Sequence, residues 1–257
     1  MGYIDSHAHL TGSRFQDDLM EVIARFQENE IERVMLVCCD DEDYRKACLL
    51  QDRYPLFDIA KGIHPEDTDN YQTKDLTTLK TQLAEGRIKL LGEIGLDYYW
   101  VKDNKEKQKA LFIQQLKLAD EFALPIAVHS RDASEDTYNI LSEMHASKRG
   151  VLHCYSGSPE MMERYLKLGY YISIAGVITF DNAKVTRAVA QAVPLQRLLY
   201  ETDCPYLTPV PHRGKRNDPN YVCYTAQKIA EIKAISVETL NEQVRLNYRR
   251  LLGESDD

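Results

Sequence analysis

At 257 residues, 44% hydrophobic and 28% charged, the chain has enough apolar material for a sizeable core and needs neither disulfides nor a structural metal in order to fold. Its 32 basic against 40 acidic side chains give a net charge of −8, opposite to the footprint of a passive nucleic-acid binder, so any phosphate recognition has to be local. The chain opens with no basic-then-apolar leader and its apolar runs, such as 34–39, are too short to span a bilayer; this excludes a membrane protein and predicts a cytoplasmic one.

The first expected strand, Tyr3 to His7, runs into His7-Ala8-His9, and the two-residue repeat of a strand points both imidazoles the same way. Further strands are expected over 33–39, 57–63, 90–95, 125–130, 150–155, 170–176 and 198–203. Between them lie amphipathic stretches. The clearest is Lys105 to Phe122, where Phe112, Ile113, Leu116, Ala119 and Phe122 form one stripe. Ser158-Pro159-Glu160 is a helix start, with a capping residue before Pro at the first helical position. The stretch Val222 to Leu252 holds no strand and reads as two closing helices. Six cysteines, at 38, 39, 48, 154, 204 and 223, include no Cys-x-x-Cys pair, which excludes a zinc ribbon or thioredoxin motif and predicts reduced, mostly buried thiols.

Strands that read as continuous apolar runs are buried on both faces, the mark of a parallel sheet covered by helices. Eight such units, with no repeat and no Pro/Gly-rich linker, predict one α/β domain over 1–257: a TIM-type (β/α)8 barrel with C-terminal closing helices. Polar residues recur at its C-terminal strand ends: His7 with His9 just beyond, His64, Glu93, His129, His153 and Asp203. Singly, each reads as a hydrogen-bonded core group. Together they converge on the rim where barrel enzymes carry their sites, and so many buried polar groups need a common partner.

That partner is a metal centre. Four imidazoles and two carboxylates exceed one tetrahedral zinc and suit two divalent ions sharing a carboxylate bridge. Glu93, from a central strand, is the expected bridge, with His7, His9 and Asp203 completing one shell and His129 and His153 the other. Mixed imidazole and carboxylate ligation suits Zn²⁺, Mn²⁺, Ni²⁺ or Fe²⁺ and, less naturally, Mg²⁺.

The segments Ile4-Asp5-Ser6-His7-Ala8-His9-Leu10, Gly62-Ile63-His64-Pro65, Gly92-Glu93-Ile94-Gly95-Leu96-Asp97-Tyr98, His153-Cys154-Tyr155-Ser156-Gly157 and Glu201-Thr202-Asp203-Cys204-Pro205-Tyr206-Leu207 resemble the motifs of the TatD family of metal-dependent deoxyribonucleases, in the amidohydrolase superfamily. Arg213-Gly214-Lys215-Arg216-Asn217-Asp218-Pro219 resembles a further motif of it. The resemblance implies a two-metal barrel that hydrolyses DNA, often from an end, and carries the family's ligands onto His7, His9, Glu93, His129, His153 and Asp203. Ser6, Ala8, Tyr155, Cys204 and Asp218 depart from the commonest pattern and bear on substrate preference.

A water activated between two ions attacks the scissile phosphate, and Asp203 is the expected general base, with Glu93 and His64 also in the catalytic set. For His64, orienting phosphate, donating a proton and stabilising the turn into Pro65 stand equal. Arg131, and Arg213 and Lys215 with Arg216, are the expected phosphate contacts, and Gly214 lets the backbone approach closely. Tyr98, Tyr99 and Trp100 either stack on an unpaired base or pack the loop. The expected substrate is DNA, including single-stranded ends. Hydrolysis of a carboxyl ester or amide, or metal-dependent binding without turnover, are the alternatives.

Overall fold

A computed structural model describes residues 2–144 and 148–255. Strands and helices alternate as β1 (Tyr3–Ala8), α1 (Leu19–Ala24), β2 (Ile31–Cys38), α2 (Asp41–Arg53), β3 (Phe57–Lys61) and α3 (Thr73–Ala84). The pattern continues through β4 (Ile88–Asp97), α4 (Lys105–Glu121), β5 (Ile126–Arg131), α5 (Ser134–Met144), β6 (Val151–Leu152) and α6 (Pro159–Lys167). It closes with β7 (Tyr171–Ile174), α7 (Lys184–Ala192), β8 (Leu198–Tyr200), α8 (Val222–Lys233) and α9 (Val237–Leu252). The eight strands pair in parallel, in sequence order, as expected of a TIM-type barrel.

The last strand meets the first just beyond its regular part. Ala8 and Cys204 form a parallel bridge, the Asp203 N–H donates to the His7 carbonyl at 3.0 Å, and the His9 N–H donates to that of Cys204 at 2.8 Å. Beneath them the buried Asp5 carboxylate accepts from the Thr202 N–H at 2.8 Å and from its hydroxyl at 2.5 Å. This seam therefore runs through three of the expected site residues. β6 and β8 end at 152 and 200, short of the expected 155 and 203, because Cys154 (φ 42°) and Asp203 (φ 53°) take left-handed backbone that cannot continue a strand. His153 and Asp203 are thus carried on the turns that follow these strands.

Two features fix the central strands. Gly95 lies between Glu93 and Asp97, and a side chain there would put its Cβ 2.0 Å from the His129 carbonyl oxygen, so only glycine lets β4 and β5 approach this closely. On α4 the expected apolar stripe is present, with Phe112, Leu116 and Ala119 buried, but Gln108 and Gln115 share the buried face. Each primary amide grips both backbone groups of one residue. Gln115 accepts from the Ile63 N–H at 2.8 Å and donates to its carbonyl at 2.9 Å, and Gln108 does the same for Asp97 at 2.8 and 2.9 Å. α4 thereby sets the ends of β3 and β4, just before His64 and just after Glu93.

The two closing helices are present as expected. α9 is capped by Ser236, whose side chain accepts from the Thr239 N–H, and it stops at Gly253 with φ 73°. Its underside meets a charged network: Arg33 on β2 bonds Asp58 on β3 at 2.6 Å and Glu254 at 2.6 Å, and the Tyr248 hydroxyl donates to Asp58 at 2.9 Å. Removing Arg33 strands the buried Asp58 carboxylate. Since breaking a buried pair costs about 3–5 kcal/mol, and Arg33 is partly solvated, Arg33→Met is expected to lower stability by about 2–3 kcal/mol in urea unfolding. A loss below about 0.5 kcal/mol would show that the network contributes nothing.

Candidate metal centre

The rim gathers the expected residues around one carboxylate. Glu93 is buried, and each of its oxygens faces a different set of side chains. Oε2 lies 3.4 Å from His7 Nε2 and 3.7 Å from His9 Nε2; Asp203 Oδ1 is 3.9 and 3.5 Å from the same two nitrogens, which are themselves 3.3 Å apart. Oε1 lies 2.6 Å from His129 Nδ1, 2.6 Å from His153 Nε2 and 3.3 Å from His64 Nε2. His129 Nδ1 and His153 Nε2 are 3.3 Å apart. The sequence placed His7, His9 and Asp203 about one ion and His129 and His153 about the other; His7 and His9 do face one Glu93 oxygen and His129 and His153 the other, but ligand atoms of His7, His153 and Asp203 also lie within 4.8 Å of one another, so the two sets are not cleanly divided. His64 joins the second. The two sets also touch, since the His7 and His153 rings stack at 3.9 Å.

Ligand atoms at about 2.0 Å from a tetrahedral ion stand about 3.3 Å from one another. His7 and His9 Nε2 stand 3.3 Å from each other, 3.4 and 3.7 Å from Glu93 Oε2, and 3.9 and 3.5 Å from Asp203 Oδ1, separations of that order. Two imidazole nitrogens facing each other in a buried site, with at most one proton between them, are poorly matched as a hydrogen-bonding pair and well matched as ligands. Among the described residues buried His7 Nδ1 has no hydrogen-bond partner. The donor set therefore fits divalent ions.

The surrounding groups orient the rings. The backbone carbonyl of Val37 faces His9 Nδ1 at 3.2 Å, Asp97 Oδ2 faces His129 Nε2 at 2.9 Å, and Glu201 Oε1 faces His153 Nδ1 at 3.3 Å. Each acceptor places the ring proton on the outer nitrogen and leaves the inner one free to ligate. His64 is reversed. Its Nδ1 accepts from the Glu66 N–H at 3.3 Å, capping the 3-10 turn Pro65–Asp67, so in the neutral ring the proton sits on Nε2, facing the cavity.

Electrostatics follow the same layout. Burial pushes the Glu93 carboxyl up, but the imidazoles of His153 and His64 and the hydrogen bond from His129 outweigh it and hold the group well below the usual range. Asp203 is likewise lowered, its burial outweighed by the bond from His9. His7, buried beside His153, is pushed down.

Asp97 and Glu201 were missed as functional residues by reading the sequence. Asp97 had a signal, because Glu93, Gly95 and Asp97 alternate on one face of β4. Its other oxygen accepts the N–H groups of Tyr99 and Trp100 at 2.9 and 2.7 Å, so one carboxylate sets both a candidate ligand and the aromatic loop. Asp97→Asn is expected to weaken metal binding about 10- to 100-fold, the usual cost of losing such a partner, in competition against a chromophoric chelator. Affinity within threefold of the parent would remove Asp97 from this role.

A cavity of about 840 Å³ opens above the clusters. His64 and Arg131 line it, but Arg213 and Lys215 do not: the Arg213 guanidinium lies 3.8 Å over the Phe180 ring, and neighbouring Arg216 is held by Asp18 at 2.6 Å. The basic residue that the structure adds to the wall is Arg14. The six cysteines are all free; only Cys38 and Cys204 are fully buried, and Cys39 is exposed at the rim, 3.5 Å from His9 Nδ1.

A parallel (β/α)8 barrel with an imidazole and carboxylate cluster at its C-terminal rim defines the class, a metal-dependent hydrolase. The family model described as TatD related DNase matches residues 4–253, and the chain belongs to the TatD family. Bacillus subtilis YabD is 41% identical over 248 residues, 96% of this chain and 97% of the relative. Escherichia coli YcfH is 38% identical over 256 residues, 98% of this chain and 96% of the relative; both are described as uncharacterized metal-dependent hydrolases. Among solved structures, the TatD homolog YJJV from Escherichia coli matches with a TM-score of 0.92 at 28% identity over 98% of both chains. A TatD family hydrolase from Entamoeba histolytica matches in fold with a TM-score of 0.87 at 24% identity over 98% of both. Among the described residues no helix is long and apolar enough to cross a membrane.

Proposed function

We propose that the chain is a cytoplasmic deoxyribonuclease that hydrolyses phosphodiester bonds at DNA ends with two divalent ions. The observation that carries this reading is the sharing of Glu93, whose two oxygens face different imidazole nitrogens at the floor of a cavity walled by Arg131. Two divalent ions bound there would supply a water of lowered pKa and would neutralise charge on a phosphate. His7, His9, Glu93 and Asp203 would hold one, and Glu93, His129 and His153 the other.

The side chains do the rest. Asp203, ionised at neutral pH and at the edge of the cavity, accepts the proton of the attacking water and delivers it to the leaving oxygen. His64, whose Nδ1 accepts the Glu66 N–H, carries its proton on Nε2, 3.3 Å from Glu93 Oε1, and offers that N–H to the phosphate instead of ligating. The Arg131 guanidinium takes a non-bridging oxygen, where a planar pair of donors matches phosphate geometry.

The test is nucleotide release from oligonucleotides blocked at the 5′ or the 3′ end, by protein loaded with Mg²⁺, Mn²⁺ or Zn²⁺. Release from one unblocked end is expected. Release from neither, with efficient cleavage of a carboxyl ester and none of bis-p-nitrophenyl phosphate, would make the enzyme an ester hydrolase instead.

A further inference from the structure

The cavity wall is unevenly furnished. Around an eight-stranded barrel the junction of β8 with β1 lies half a turn from the junction of β4 with β5. At both stations an arginine lies over an exposed aromatic ring. At the first, the Arg14 guanidinium on the loop after β1 is 5.5 Å from the ring centre of Tyr206, on the loop after β8 and 53% exposed. At the second, Arg131 at the end of β5 is 4.1 Å from Tyr99 and 5.3 Å from Trp100, which is 62% exposed. Arg14, Tyr206, Trp100 and Arg131 all line the cavity. Among the described residues neither of these guanidinium groups is in an ion pair, in contrast to Arg216 on Asp18.

The flanks between the stations differ in charge. The β2 and β3 side contributes Asp43, Glu66 and Asp67 to the wall, whereas the β6 and β7 side contributes Cys154, Ser156 and Val177. A polyanion is repelled from the first flank and tolerated along the second. Its favourable path runs from one arginine to the other, across the metal cluster.

We infer that the cavity holds two nucleotide subsites of like construction on opposite sides of the scissile bond, Arg14 with Tyr206 forming one and Arg131 with Trp100 the other. Each guanidinium takes a phosphate and each ring takes a base face, a contact that serves every base and needs the base unpaired. The substrate unit is then at least two nucleotides long. This assignment rests on the nuclease reading above and adds the residues that grip the strand on either side.

The test uses the full-length Mn²⁺-loaded enzyme with Arg14→Gln, Tyr206→Leu, Trp100→Leu and Arg131→Gln. Base stacking is typically worth about five- to hundredfold in affinity. On hexathymidylate each substitution is expected to raise KM at least fivefold, with kcat within threefold for Arg14→Gln, Tyr206→Leu and Trp100→Leu and a loss of kcat as well for Arg131→Gln, which also touches the reacting phosphate; Tyr206→Leu with Trp100→Leu is expected to multiply the two effects, as independent distant sites do. If Arg14→Gln and Tyr206→Leu both leave KM within twofold of the parent, the subsite between β8 and β1 is overturned. Fluorescence anisotropy of labelled hexathymidylate on Asp203→Asn protein, with the same substitutions added, reads binding without turnover. Binding weakened by all four alongside a parent that cleaves no DNA would sink the nuclease reading and keep the subsites. Equal binding by all four would overturn the subsites whatever the parent cleaves.

Discussion

Asp203→Asn is expected to lower kcat by about 10²–10⁴-fold, the range for losing a positioned general base, with KM on an oligonucleotide changed only a few-fold. The replacement keeps the shape and one carbonyl oxygen that can still face His7 and His9, 3.9 and 3.5 Å away in the parent. What it loses is the lone pair that receives a proton. In the parent, burial would raise this carboxyl, but the bond from His9 and the neighbouring imidazoles hold it below the ordinary value, so it is ionised throughout the neutral range and ready to act as a base. The check is steady-state kinetics on a fluorogenic oligonucleotide at saturating Mn²⁺, with metal content measured on the same preparation. A kcat within tenfold of the parent, at equal metal content, would move the base elsewhere.

Glu93→Gln is expected to be at least as damaging, for a different reason. The amide leaves one neutral oxygen for one set of ligands and turns an NH2 group toward the other, where His129 Nδ1 and His153 Nε2 now lie 2.6 Å from a carboxylate oxygen. Loss of an outer partner costs about 10- to 100-fold in metal affinity, and loss of the shared ligand should exceed that. Metal analysis after purification without chelator should give two ions per chain for the parent and fewer than one for the variant, with kcat down by a comparable 10²–10⁴-fold. Two ions retained by the variant would refute the bridging role.

Much of this site was legible because a barrel turns sequence position into place. Residues at the ends of parallel strands must share a rim, so His7, His9, Glu93, His129, His153 and Asp203 could be assembled without any knowledge of distance. The strand limits were less legible at β6 and β8, where left-handed residues end the ladder early, a choice of backbone that hydrophobic runs do not report. Arg213 and Lys215 do not line the cavity, because closeness in sequence to Asp203 says nothing about where a long loop folds back; Arg213 and Arg216 went to Phe180 and Asp18. Arg14 was silent for the opposite reason. It sits near the chain start, some 190 residues from Tyr206, and only barrel closure brings the two together. Gln108 and Gln115 were hidden by the assumption that a buried helix face is apolar, whereas the strand ends under α4 have unpaired backbone groups that an amide can satisfy.

The seam where the last strand meets the first has a consequence for how the protein comes into being. His7 and His9 leave the ribosome early, while Asp203 and the segment that bonds to them emerge after most of the chain has been made. A cation in the first cluster, on the proposed ligand set, would tie residues 7 and 9 to residue 203, closing a loop of nearly two hundred residues whose ends rarely meet in an unfolded chain. On the proposed ligand set, completion of the first cluster is therefore a late event in biogenesis, open only to chains translated past the eighth strand, and a product truncated before that point lacks Asp203.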